Sequence, residues 1–125
     1  MLTLLADFPH DTVAVRAAGV LCGTDYQQVL VPEIEQKLQD HACIRLWYEF
    51  DPDFQGITVG TLWHDAVLGF FHLSDFSRIV VLADDTRMRG MAQTLAGMIP
   101  CPVKVFPLQM REQAKVWLNE ESVTV

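Results

Sequence analysis

Positive charge is scarce in this chain: nine Lys and Arg stand against 16 Asp and Glu, for a formal net charge of −7. No basic cluster is left to displace counterions from a phosphate backbone, so nucleic acid is excluded as a partner. The same sign works against nonspecific adhesion to anionic lipid. Cysteine is sparse too. Cys22, Cys43 and Cys101 are odd in number, far apart and without CxxC or metal-ligand spacing, which argues against a disulfide framework and leaves them as reduced, mostly buried thiols. Cys22 precedes Gly23 near a helix start, where a thiol can acidify, but no base accompanies it and it reads as structural. No apolar run reaches the roughly 18–20 residues of a membrane span, and no charged segment precedes the apolar start MLTLLA. A soluble, cytoplasmic protein is expected, with any membrane contact peripheral and on the inner face.

What is present suffices for one core. Half of the 125 residues are hydrophobic, enough for a single domain spanning residues 1–125. Leu2 to Ala6 reads as a short edge strand, broken at Pro9 and the turn-prone His10-Asp11 pair, and Thr12 to Val20 reads as its hairpin partner. Thr24 is a fair N-cap for a helix running to Asp40, with Tyr26, Val29, Leu30, Ile34 and Leu38 at helical spacing. Pro32 removes a hydrogen bond inside it, so a kink or two abutting segments are expected near Val31. Cys43 to Phe50 and Arg78 to Ala83 are nearly continuous apolar runs, the pattern of strands buried on both faces. Asp84-Asp85-Thr86 caps a helix with Met88, Ala92, Leu95 and Ile99 as its stripe. A short strand from Val103 to Phe106 and a helix from Gln109 to Asn119 close the chain, and the tail ESVTV is expected to fray. Strand–helix alternation after a leading hairpin predicts an α/β domain. Its sheet should be mainly parallel, of about five strands with an antiparallel N-terminal edge, and carry four α-helices.

The stretch around which the rest is organised is DPDFQGITVGTLWHDAVLGFFHL, Asp51 to Leu73. At about 100° per residue from Val59, the residues Leu62, Trp63, Ala66, Val67, Gly69, Phe70 and Leu73 share a broad arc with it that can cover a sheet. Thr61, His64, Asp65 and His72 lie opposite, yet Leu68 and Phe71 sit among them. Each would forgo roughly 1.5–3 kcal/mol if left in water, so something should cover them: a neighbouring helix, a second subunit, an apolar ligand or a membrane.

Catalytic residues are not apparent. His64 and Asp65 are sequence neighbours whose side chains diverge on a helix, and His64 and His72 are too far apart to share a metal, so no metal, cofactor or catalytic constellation is assigned. Asp51, Asp53, Asp84 and Asp85 gather after two strands, at the end of the sheet where α/β ligands bind. Turn and cap chemistry explains them better than an acidic pair or a cation site.

DFQGITVGTLWHDAVLGFFHLSDFSRIVVLADD together with LAGMIPCPVKVFPLQMREQAKVWL resembles the SpoIIAA-like family of small bacterial domains over nearly the whole chain. Gly60, Trp63, Asp65, Gly69 and His72, then Asp75 to Val81, then Ile99 to Pro107 carry the pattern. The resemblance implies the fold shared with STAS domains and a distant similarity to CRAL-TRIO lipid-carrying domains; it implies no reaction. Val67 stands where the family often has Lys, which makes this helix greasier. Where STAS antagonists carry a phosphorylated Ser, only Thr58 and Thr61 are present as candidates for a phospho-switch.

Three roles follow. The first is a non-enzymatic binding module whose helices 59–73 and 86–99 hinge apart. Trp63, Val67, Leu68, Phe70, Phe71, Met88, Met91 and Met98 would then take a lipid-like molecule or meet a membrane surface, with Arg87 and Arg89 at the polar rim. The alternative is a STAS-like interaction or regulatory domain, or a homodimer through the same helix. An enzyme using the acidic loops ranks last.

Overall fold

The computed structural model describes residues 2–21, 25–57, 76–86 and 101–119, together with 89, 90, 93, 94 and 97. Five strands form the main sheet in the order β1-β2-β4-β6-β7: β1 (Leu2–Leu4), β2 (Thr12–Ala17), β4 (Ile44–Phe50), β6 (Phe76–Leu82) and β7 (Val103–Phe106). The sheet is mixed: β1 is antiparallel to β2, while the β2–β4, β4–β6 and β6–β7 pairings are parallel. The expectation of a single sheet needs correction, because β3 (Val20–Leu21) and β5 (Gly56–Ile57) pair as a separate two-stranded parallel piece. Its origin is local. Gly19 takes a positive φ of 61° that side-chain-bearing residues avoid, so the chain leaves β2 in a sharp turn, and the Gly19 carbonyl accepts from Gln55 N at 2.7 Å.

Both faces of the sheet are covered, which is why its central strands are apolar throughout rather than alternating. Val13, Val15, Leu46, Tyr48 and Ile79 face Leu30 and Ile34, and Ala14, Trp47, Val80 and Leu82 face Ala114 and Leu118. The first cover is a helix in two pieces, a π-helical turn at Tyr26–Leu30 and α1 at Val31–Asp40. Pro32 lies in the first turn of α1, where its missing N–H leaves no further bond unmade, so the helix restarts there as expected. The second cover is α2 (Arg111–Asn119), entered through a short 3-10 turn at Leu108–Met110. Its C-terminal carbonyls are held from the sheet: Arg45 donates to Leu118 O and Arg78 to Trp117 O. Cations at that end also oppose the helix dipole.

Among the described residues two α-helices are delineated, not the four expected. The helix expected at 59–73 lies outside them, and of that expected at 86–99 only Thr86, Arg89, Gly90, Gln93 and Thr94 are described as helical. The thiols also need correction. Cys43 is exposed because it falls in the turn before β4, ahead of the first buried residue, Ile44; Cys101 is half-buried.

Candidate functional site

At the carboxyl ends of β2 and β4 the strand register sets Arg16 beside Glu49. Glu49 points to the α2 side of the sheet, two residues on from Trp47, and is only 2% exposed. Sinking a carboxylate that far costs several kcal/mol unless it is fully paired. Four donors meet it. Arg16 Nε reaches Oε2 at 2.8 Å, Arg111 Nη2 reaches the same oxygen at 2.8 Å, Arg111 Nε reaches Oε1 at 3.1 Å, and Trp47 Nε1 reaches Oε1 at 3.3 Å. Burial pushes the Glu49 carboxyl up, but the hydrogen bonds and charges of Arg111 and Arg16 together outweigh it and hold it below the ordinary carboxylate value. The hydrogen bonds from Arg111 to Glu49 in turn raise the guanidinium above its usual value.

A carboxylate held ionised with both oxygens engaged is poorly suited to moving protons. It acts as a clasp joining β2, β4 and the first residue of α2. The neighbouring acids are tied down likewise. Asp84 Oδ1 accepts from Leu108 N at 2.8 Å, linking the end of β6 to the 3-10 turn. Asp51 Oδ1 accepts from Asp53 N at 3.1 Å, and Asp53 Oδ1 from Gly19 N at 3.3 Å. The backbone N–H of Asp53 is the main cause that lowers the Asp51 carboxyl. The Asp51–Asp53 contact is the turn chemistry expected of the loop acids, whereas Asp53 and Asp84 instead bridge to Gly19 and Leu108, far along the chain.

Of the residues expected from sequence to form an apolar site, Trp63, Val67, Leu68, Phe70, Phe71, Met88, Met91 and Met98 lie outside the described residues, as do Arg87, Thr58 and Thr61. Arg89 is described. It is half-buried, with Nη2 3.5 Å from the Asp84 carbonyl and Nε buried without a partner among the described residues.

Sequence reasoning passed over the Glu49 clasp, although a signal existed. Arg16 is the one charge in its strand and Glu49 the one acid in its own, both inside largely apolar runs, and charges placed so are retained only when they are paired. A second surface feature is an open groove of about 400 Å³ between β7 and α2, lined by Lys104, Phe106, Val116 and Trp117 among others. Lys104 Nζ and the Arg78 guanidinium carbon lie 5.2 and 5.0 Å from the Trp117 ring centroid, within cation–π range.

Residues 12–119 match the family described as SpoIIAA-like. Among solved structures, an uncharacterized protein with a SpoIIAA-like fold from Shewanella loihica PV-4 is similar at 21% identity with a TM-score of 0.68, over 94% of this chain and 93% of that one. At that identity the likeness speaks for the fold alone. No curated protein matches the chain.

Proposed function

Because the chain belongs to the SpoIIAA-like family, we propose that it is a non-enzymatic, STAS-like interaction domain that regulates or assembles through surface contact. The observation that carries this reading is the family match over residues 12–119. The Glu49 clasp supports it: the charged groups at the ligand end of the sheet are spent on joining elements to one another. The sequence of 59–73 supplies the surface, since Leu68 and Phe71 stand among Thr61, His64, Asp65 and His72 on what is otherwise a polar arc. The simplest partner is a second copy. Phosphorylation at Thr58 or Thr61 would add about two negative charges beside that surface and is the natural means of regulating it.

Native mass spectrometry of the gently purified protein, with an organic extract of the same sample, tests the proposal. A dimer that Phe71→Asp converts to folded monomer is the expected result. A stoichiometric fatty-acid or lipid adduct, with oligomeric state unchanged by Phe71→Asp, would overturn it in favour of an apolar-ligand carrier.

A further inference from the structure

At the amino end of the sheet, away from Glu49, His10 and His41 stand in the turns that lead into two adjacent parallel strands. Thr12 and Arg45, at the starts of β2 and β4, are register partners, and this brings together two histidines that are 31 residues apart in sequence. The backbone holds both in place. Thr12 N donates to Pro9 O at 3.0 Å, closing the turn around His10, and His41 N donates to Lys37 O at 3.0 Å as α1 ends. His10 Nδ1 and His41 Nε2 then share a hydrogen bond at 2.6 Å, with the ring centroids 4.9 Å apart.

We propose that His10 and His41 form a surface binding site for a divalent late transition-metal ion of the Cu²⁺, Ni²⁺ or Zn²⁺ class, using His10 Nδ1 and His41 Nε2 as ligands. Metal–imidazole bonds of about 2.0–2.1 Å require the two nitrogens to stand roughly 3 Å apart with their lone pairs converging. The ion would replace the hydrogen bond between the two nitrogens: its proton passes to the other nitrogen of the ring that carries it or to water, and the rings turn so that both lone pairs meet the ion, movement for which the His10 side chain, 67% exposed, has room. Asp40 adds a negative charge beside the site: its Oδ2 lies 3.9 Å from His10 Nε2, too long for a hydrogen bond, and its charge attracts a cation. Asp11 is engaged elsewhere, by Arg45 at 3.6 Å and Thr12 Oγ1 at 3.3 Å. Among the described residues no group of three His, Cys, Asp or Glu side chains converges on one point. The protein therefore supplies two nitrogens and leaves the remaining positions to water. That open, nitrogen-only set selects Cu²⁺ over Ni²⁺ and Zn²⁺ and distinguishes the site from a closed structural zinc centre.

Titration calorimetry of the full chain with CuCl₂, NiCl₂ and ZnCl₂ in a non-coordinating buffer tests it, with Cu²⁺ electron paramagnetic resonance to count nitrogen ligands. One equivalent should bind, tightest for Cu²⁺. His10→Ala and His41→Ala should each weaken it about tenfold or more, and Asp40→Asn by less. Cys43→Ser, two residues from His41 and itself exposed, should leave binding unchanged. Both histidine variants should keep the wild-type circular dichroism spectrum, which separates loss of binding from loss of structure. A wild-type chain that shows no one-equivalent step would overturn the assignment. So would binding that survives His10→Ala, or that disappears in Cys43→Ser.

Discussion

The two ends of the same sheet treat their polar residues in opposite ways. At the carboxyl end Glu49 is out of water with its oxygens taken by Arg16, Arg111 and Trp47. At the amino end His10 and Asp40 keep most of their side-chain surface, 67% and 62%, in solvent. Polar groups of the first kind hold elements together and are consumed by doing so; those of the second kind contribute little to folding and stay available to a ligand. Position at the customary ligand end of an α/β sheet is thus weaker guidance to function than whether a group's bonding capacity has already been used.

Breaking the clasp should give the largest effect. Arg111→Ala removes two of the four donors on Glu49, and its cost is expected to be about 2–3 kcal/mol in a urea midpoint experiment, less than for a fully buried pair because Arg111 is half in solvent. A loss below about 0.5 kcal/mol would show that the cluster is not what joins α2 to the sheet.

Acid sharpens the contrast. The folded Glu49 carboxyl titrates below its ordinary 4.5, so its contribution is complete above that value and is lost as pH falls through the lower, folded value. Wild-type stability should therefore decline below about pH 4.5, and Glu49→Gln, less stable at pH 7, should show a flatter decline. Parallel curves for the two proteins would sink that assignment.

Smaller effects are expected at the amino end. Arg45→Ala frees the Leu118 carbonyl at the end of α2 and should cost about 1 kcal/mol, read from the thermal midpoint. His10→Ala should change stability by less than about 0.5 kcal/mol while weakening metal binding about tenfold or more, the dissociation of folding from binding that an available group predicts. Smallest of all is a difference in thiol labelling. Burial raises the Cys101 thiol above its usual value whereas Cys43 is exposed, so iodoacetamide at pH 8 should modify Cys43 first, as followed by peptide mass spectrometry.

Much of this architecture is legible along the chain. Val103–Phe106 is a strand with the bounds its β-branched run implies, Phe76–Leu82 and Ile44–Phe50 begin within two residues of expectation, and Pro32 marks the restart of a helix. These features are local, set by burial and by proline's missing donor. The β3–β5 piece was not legible, because two-residue strands carry no periodicity and their pairing is decided by the turn at Gly19. Of the clasp, the charges inside apolar strands were legible but their pairing was not, because the partners lie 33 and 62 residues from Glu49. Register across the sheet sets Arg16 beside Glu49 and the turns of His10 and His41 beside each other, and the packing of α2 on the sheet brings Arg111 to the pair. The candidate apolar surface, from Trp63 to Phe71 with Met88, Met91 and Met98, rests on sequence and awaits the Phe71→Asp experiment.

The arginines that reach from the sheet to α2 also bear on the order in which the protein can be made. During synthesis β2 and β4 leave the ribosome well before Arg111 and Leu118 do. Until then Glu49 has Arg16 but not Arg111, and Arg45 and Arg78 have no helix end to grip. On the Trp47 face Leu5 and Phe8 are made early, but Ala114 and Leu118 are not yet there to complete the layer. Because α2 follows every strand of the sheet and completes both the apolar layer and the ion pairing, the domain becomes stable only once α2 has been made, rather than during growth of its first half.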